Sequence, residues 1–179
     1  DFEVHWEGKA LPAEAARISV FDRGFVFGDG VYEVVPVIHQ RLMDKKHALE
    51  RLDRSLHSTG IGWPCTREEL IAILEELLVR DGLQEGYVYL QITRGVAERD
   101  FAFPQHSHRS LVAWGVSRSI IDHPLAVAGV AVVSVPDLRW KRRDIKSVNL
   151  LAQCMSKQMA VERGGFEGWM IDDGVVTEG

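Results

Sequence analysis

Apolar residues recur along this chain with two different periods, and each change of period marks an element. Phe2, Val4 and Trp6 alternate with polar neighbours ahead of Glu7-Gly8, which predicts a short strand and a turn. Ile18-Ser19-Val20-Phe21 is a second short apolar run, ended by Asp22-Arg23-Gly24. The stretch from Phe25 to Ile38 is rich in β-branched and aromatic residues and reads as strand. Gly28-Asp29-Gly30 would bend it, and Pro36 suits a bulge or an edge. The period then becomes helical. Leu49, Leu52 and Leu56 predict a helix from about Lys45 to Thr59. Leu70, Ile73, Leu74 and Leu77 predict a second, opened by the capping box Thr66-Arg67-Glu68-Glu69 and closed by Gly82 at C′.

Further along, Tyr87 to Thr93, Leu111 to Val116 and Val130 to Val135 read as strands. The last is small and β-branched enough to be expected buried on both faces. Arg94 to Arg109 is irregular. Val148, Leu151, Met155 and Met159 fall at helical spacing, so a helix to about Arg163 is predicted with both methionines in the core. Gly168 to Ile171 and Val175 to Thr177 flank Asp173-Gly174 as a hairpin. Helices and strands mix without strict alternation, which predicts an α+β fold in two lobes with a boundary between Ser117 and Ala128. The lobes expected are 1–120 and 121–179.

Composition narrows the function classes. The chain has 179 residues, 46% hydrophobic and 26% charged, with a net charge of -5. Nothing in that balance draws it to nucleic acid or to an anionic membrane. Arg139 to Lys146 is basic, but too short to make a nucleic-acid patch in an acidic chain. Cys65 and Cys154 have no spacing partner, and His39, His47 and His57 show no metal spacing. Gly28-Asp29-Gly30 lacks the third glycine of a dinucleotide loop. Trp63 and Trp114 read as packing residues. The opening residues lack a signal-peptide pattern and no apolar run reaches membrane-spanning length, so a cytoplasmic location is expected.

The one stretch that suggests chemistry is Arg142-Arg143-Asp144-Ile145-Lys146-Ser147-Val148-Asn149-Leu150-Leu151. A lysine is a poor nucleophile as a solvated ammonium. Buried, or beside other cations, it loses its proton more readily and can form a Schiff base with a carbonyl cofactor. Arg139, Lys141, Arg142 and Arg143 are such cations in sequence. The same residues would also serve as a solvated basic turn between a strand and a helix.

Phe27-Gly28-Asp29-Gly30-Val31-Tyr32-Glu33, the segment from Arg139 to Leu151, and Val176-Thr177-Glu178-Gly179 together resemble the fold-type IV (class IV) pyridoxal-phosphate enzymes. These comprise the D-amino-acid and branched-chain aminotransferases and aminodeoxychorismate lyase. The likeness spans almost the whole chain. It is strongest to the D-amino-acid aminotransferases, through Gly30-Val31-Tyr32-Glu33-Val34-Val35 and Asp144-Ile145-Lys146-Ser147. It implies a small N-terminal α/β lobe over 1–120. Residues 121–179 would then begin a larger, barrel-like cofactor-binding lobe with helices.

The resemblance implies roles for particular residues. Lys146 would hold pyridoxal 5'-phosphate as a Schiff base and, once displaced, carry the proton between the substrate Cα and the cofactor. Glu178 would face the pyridine nitrogen, with Arg139 on that side, and Arg51 would meet the cofactor phosphate. From the sequence alone, the better reading of Arg51 is a surface helix arginine pairing with Glu50 or Asp53. Tyr32, Val34 and Arg99 would contact substrate, Arg99 by pairing the α-carboxylate, although Tyr32 would also fit a half-buried strand. The implied reaction moves an amino group from a D-amino acid such as D-alanine to a 2-oxo acid. Branched-chain L-amino-acid transamination, lyase chemistry on aminodeoxychorismate, and a non-catalytic interaction module are the alternatives. A homodimer is implied as well.

Two residues depart from the D-enzyme pattern. Phe101 stands where those enzymes often carry a histidine, with His106 and His108 out of register, and Pro36 replaces a longer polar side chain. The family's chain continues past Gly179 into segments that cradle the phosphate. A truncated enzyme of low stability, lacking a closed second lobe, is therefore expected.

Overall fold

The computed structural model describes residues 3–6 and 8–179. The expected strand residue Phe2 and turn residue Glu7 lie outside the described residues. The chain divides into two compact units. One comprises residues 1–120 together with 144–148, and the other comprises 121–143 and 149–179.

In the first unit, β1 (Glu3–Trp6), β2 (Lys9–Pro12), β3 (Gly30–Ile38), β4 (Arg41–Leu42), β5 (Glu85–Thr93) and β6 (Ser110–Ser117) form one antiparallel sheet in the order β2-β1-β6-β5-β3-β4. Alternation along β3 buries Val31, Val35 and Val37 and half-exposes Tyr32 and Val34. The buried face meets two helices, α2 (Lys45–Thr59) and α3 (Arg67–Arg80). Leu52, Leu56, Leu70, Leu74, Leu77 and Leu78 pack there on Val88, Leu90 and Ile92. Both helices match the periods read from the sequence. Thr66 and Glu69 make the reciprocal capping bonds, and Gly82 follows the α3 cap at φ +59. Pro36 lies beyond the two residues of β3 that pair with β4, so its missing N–H leaves no gap in that ladder.

Phe25 to Phe27 is not strand. Arg23–Phe27 is a short helix, α1, because the Asp22 side chain caps the N–H of Gly24 at 2.8 Å and Gly28 closes the far end at φ +66. Two local end signals outweigh the β-branched and aromatic content between them.

The second unit holds α4 (Pro124–Ala128), β7 (Val132–Pro136), α5 (Leu151–Glu162), β8 (Glu167–Asp172) and β9 (Val175–Glu178). β7 runs parallel to β8, and β8 pairs antiparallel with β9 through the Asp173-Gly174 turn, both residues at positive φ. Two expectations are corrected here. β7 is not buried on both faces: Val135 is covered, while Val132 is 40% exposed on the opposite side. The stripe read for α5 is not its buried face either, since Leu151 and Met155 are exposed while Ser156 and Ala160 are covered. Small side chains let α5 sit close to β8, where a Cβ on Gly168 would lie 2.4 Å from Ser156 Oγ. Closeness of approach, not hydrophobicity, chose that face.

Candidate functional site

Lys146 belongs to the first unit, although a long stretch of sequence separates it from the sheet. Its segment pairs beside the start of β3, on the side away from β5. Tyr32 N–H donates to the Lys146 carbonyl at 3.0 Å, and Val148 N–H to the Gly30 carbonyl at 3.1 Å. A bridge joins Val31 to Ser147. The Lys146 N–H donates to the Oγ of Ser55, a buried residue of α2, at 3.1 Å. A strand edge and a helix thus fix the lysine backbone, while its side chain stays half-buried. Nζ lies 3.3 Å from the Tyr32 hydroxyl and 4.4 Å from that ring's centroid.

Tyr32 is held in turn. Its ring stacks on Tyr89 at 5.6 Å, and Tyr89 packs on Trp114 at 4.3 Å, so an aromatic row crosses β3, β5 and β6 on the face away from the helices. Burial, with Tyr32 beside it, pushes the Tyr89 hydroxyl up to about 12. Tyr89 therefore remains a neutral donor, to Gln91 at 2.9 Å. Val34 shares this face and pairs with Tyr89.

Arg51 does not pair with Glu50 or Asp53. It makes a bidentate pair with Glu33, through Nε and Nη2 at 2.7 Å each. Glu50 faces Lys46 and His47, and Asp53 accepts from Trp63 and Arg67. Glu33 is fully buried on the core face of β3, whereas the Arg51 side chain is 46% exposed. The hydrogen bonds that Arg51 donates to Glu33 hold the guanidinium pKa above its ordinary value. Nothing in the sequence reading assigned Glu33 a partner, yet the signal was present: a carboxylate at the same parity as Val31, Val35 and Val37 needs a cation.

Arg99 lies exposed on the segment after β5, its guanidinium 5.6 Å from the Phe27 ring and 5.7 Å from that of Phe101. A cavity of about 630 Å³ opens beside that segment, lined by Gly60, Arg94, Pro104, His106, His108 and Arg109. None of Lys146, Tyr32, Arg51 or Arg99 lines it.

In the second unit Glu178 accepts from Arg139 Nη1 at 2.7 Å. Arg139 is itself anchored on Asp137, a fully covered carboxylate that also accepts from Thr177 at 2.6 Å and pairs with Arg143 at 3.3 Å. The bonds from Arg139, with those from Thr177, outweigh burial and hold the Asp137 carboxyl far below the usual carboxylate range. Arg143 also reaches Asp172. Arg139 and Arg143, read in the sequence as cations near the lysine, thus pair with carboxylates of their own unit. Asp137 was missed, because its partners are spread over Arg139, Arg143 and Thr177.

Comparison with known proteins adds three findings. Residues 30–179 match the family described as "Amino-transferase class IV". A D-alanine aminotransferase of Staphylococcus epidermidis is 34% identical over 177 residues, covering 99% of this chain and 63% of the relative. Solved structures share the fold. A branched-chain aminotransferase of Thermoproteus uzoniensis aligns with a TM-score of 0.82 at 21% identity, over 96% of this chain and 60% of that one. A 4-amino-4-deoxychorismate lyase of Pseudomonas aeruginosa gives 0.77 at 24%, over 95% and 61%. The chain therefore spans somewhat under two thirds of the length of these relatives.

Proposed function

The chain belongs to the class IV aminotransferases, a family of pyridoxal-phosphate enzymes, and from that premise we propose that it serves a transaminase moving the amino group of a D-amino acid, D-alanine among them, to a 2-oxo acid. The observation that carries this reading is the lysine amine 3.3 Å from the Tyr32 hydroxyl, on a backbone pinned by β3 and Ser55. The 34% identity to a D-alanine aminotransferase favours the D-amino-acid substrate.

Each unit by itself carries donors that suit one part of the cofactor. The first unit offers an amine for its aldehyde and a half-exposed guanidinium for its phosphate. The second offers a carboxylate backed by an arginine for its pyridine nitrogen. When bound, the group supplies an electron sink for the pair left at the substrate Cα. Lys146 Nζ would hold the cofactor through its aldehyde carbon, and as a free amine beside the substrate it would be the base that carries the Cα proton. Tyr32 holds Nζ in place through its hydroxyl. Glu178 would keep a proton at the ring nitrogen, with Arg139 fixing the direction of its carboxylate. Arg51 would meet the phosphate with the part of its guanidinium left exposed beside Glu33. Arg99 would pair the substrate carboxylate, and Tyr32 and Val34 would line the substrate side. Small-molecule amino acids and 2-oxo acids are the partners in this reading, and a homodimer the assembly.

Phe101 favours a second reading, branched-chain L-amino-acid transamination, because the D-enzymes' histidine is absent there. A visible spectrum separates the two. A yellow band on adding pyridoxal phosphate, bleached by D-alanine and not by L-leucine, is expected. Bleaching by L-leucine alone transfers the assignment to the second reading. If a chain carried to the relatives' length also gives no band and no borohydride-reducible adduct at Lys146, the transaminase reading falls in favour of a non-catalytic module.

A further inference from the structure

A buried charged cluster of the first unit lies where Gly28-Asp29-Gly30 joins α1 to β3. Arg23 and Arg94 are 3% and 5% exposed, and both turn onto the one carboxylate of Asp29. Arg94 grips it with Nε at 2.7 Å and Nη2 at 3.0 Å, and Arg23 adds Nε at 2.7 Å. Burial alone would push the Asp29 carboxyl up, but the two guanidinium groups more than offset it. Burying two cations on one anion is a costly arrangement for structure alone, so the remaining donors matter. Arg94 spends its own on the carbonyls of Thr59 and Gly60, at the end of α2. Arg23 Nη1 donates to the carbonyl of Asp100 at 2.6 Å and also meets that of Ala102.

Those carbonyls flank Arg99 and Phe101. The Arg94 guanidinium lies 3.6 Å from the Phe103 ring centroid, and Arg23 lies 4.7 Å from that of Phe27, against which Arg99 rests. The backbone repeats the pattern: Arg23 N–H donates to Gly95, Arg94 N–H to Asp29 and Ala97 N–H to Phe21. The segment 94–103 is thus gripped at its start, beside Arg99 and near its end, and the side-chain grips converge on Asp29.

We propose that Asp29 is a positioning residue for Arg99, acting through Arg23 and Arg94 to fix the loop that presents the substrate-carboxylate cation. This rests on the reading of Arg99 given above. Asp29→Asn leaves two buried guanidinium groups without their shared counter-charge and can cost the fold itself. Arg23→Lys is the sharper variant. It keeps a cation against Asp29, but an ammonium cannot span Asp29 and the Asp100 carbonyl as the planar fork does.

In the cofactor-loaded enzyme, Arg23→Lys is expected to raise KM for amino acids about tenfold with kcat changed less than about threefold. It should lower the preference for an amino acid over the matching amine without the carboxylate by a similar factor. Cofactor affinity should hold. In the chain without cofactor, amide exchange at Arg99 to Phe103 should quicken while β3 and β5 amides keep their protection. Equal losses on amino acid and amine, or exchange as in the parent, would overturn the positioning role. Arg99→Ala is the control for the underlying reading. If it leaves the preference unchanged, Arg99 is not the carboxylate ligand and the proposal falls with it.

Discussion

A hydrogen bond involving a charged group contributes about 1.5–3 kcal/mol net when well made, and at 3.3 Å the bond from Lys146 to Tyr32 belongs at the weak end. Tyr32→Phe should therefore lower kcat/KM by roughly tenfold and still let borohydride fix the cofactor to the chain. Lys146→Ala should abolish both. Steady-state kinetics with mass analysis of the reduced protein reads the two together, and undiminished turnover in Lys146→Ala would remove the lysine from the mechanism. The pair Glu33–Arg51 predicts an asymmetry. Glu33 is fully covered and Arg51 is not, so removing the cation strands a buried anion, whereas neutralising the anion leaves a cation that water can reach. Arg51→Ala should cost about 3 kcal/mol in chemical denaturation and Glu33→Gln about 1 kcal/mol or less. The reverse order would show that water already compensates Glu33.

Elements differ in how far the sequence discloses them. α2 was legible from leucine periodicity sustained over fifteen residues, and α3 because periodicity, capping box and C′ glycine agree over fourteen. α1 was not, because five residues hold no period and its evidence lies in Asp22 and Gly28 at its ends. The stripe on α5 misled because hydrophobicity does not report how closely Gly168 lets Ser156 approach. Lys146 was legible as a motif, but its anchors were not: Ser55 and Gly30 carry no local sign of meeting it. The segment after β5 offers a test at this scale. Gly95 sits at φ +91, and a Cβ there would lie 1.6 Å from the His108 carbonyl oxygen. Gly95→Ala must move that backbone, and strain of about 3 kcal/mol should lower Tm by roughly 6–12 °C in a chain of this size. A change under a degree or two would mean that the segment yields freely, which would also weaken the case for Asp29.

Across the molecule, each unit is organised on a covered carboxylate with several donors: Asp22 and Asp29 in one, Asp137 in the other. Asp22 accepts from Gly24, Thr93 and Ser110, joining α1 to two strands. Asp137 joins β7 to β9 through Thr177 and Arg139. Asp29 and Asp137, both depressed, make stability depend on pH with a definite sign. The folded-state carboxyl of Asp137 is depressed, chiefly by Arg139. Its contribution is therefore complete above the unfolded-state value near pH 4 and is lost as pH falls below that, toward the folded-state value. The amide in Asp137→Asn does not titrate, so the variant lacks this contribution at every pH. The parent should melt well above the variant from pH 5 to pH 7, and the gap should narrow steadily as pH is lowered from 4 toward 2. Thermal melts of the two chains at matched ionic strength read this directly. Asp29, also depressed, gives the parent a second loss in the same range. Because the variant retains Asp29, that loss cancels in the difference and only the Asp137 share remains. A gap that stays constant down to pH 2 would mean that Asp137 acts by shape and hydrogen bonding, with its charge contributing nothing that Arg139 and Arg143 require.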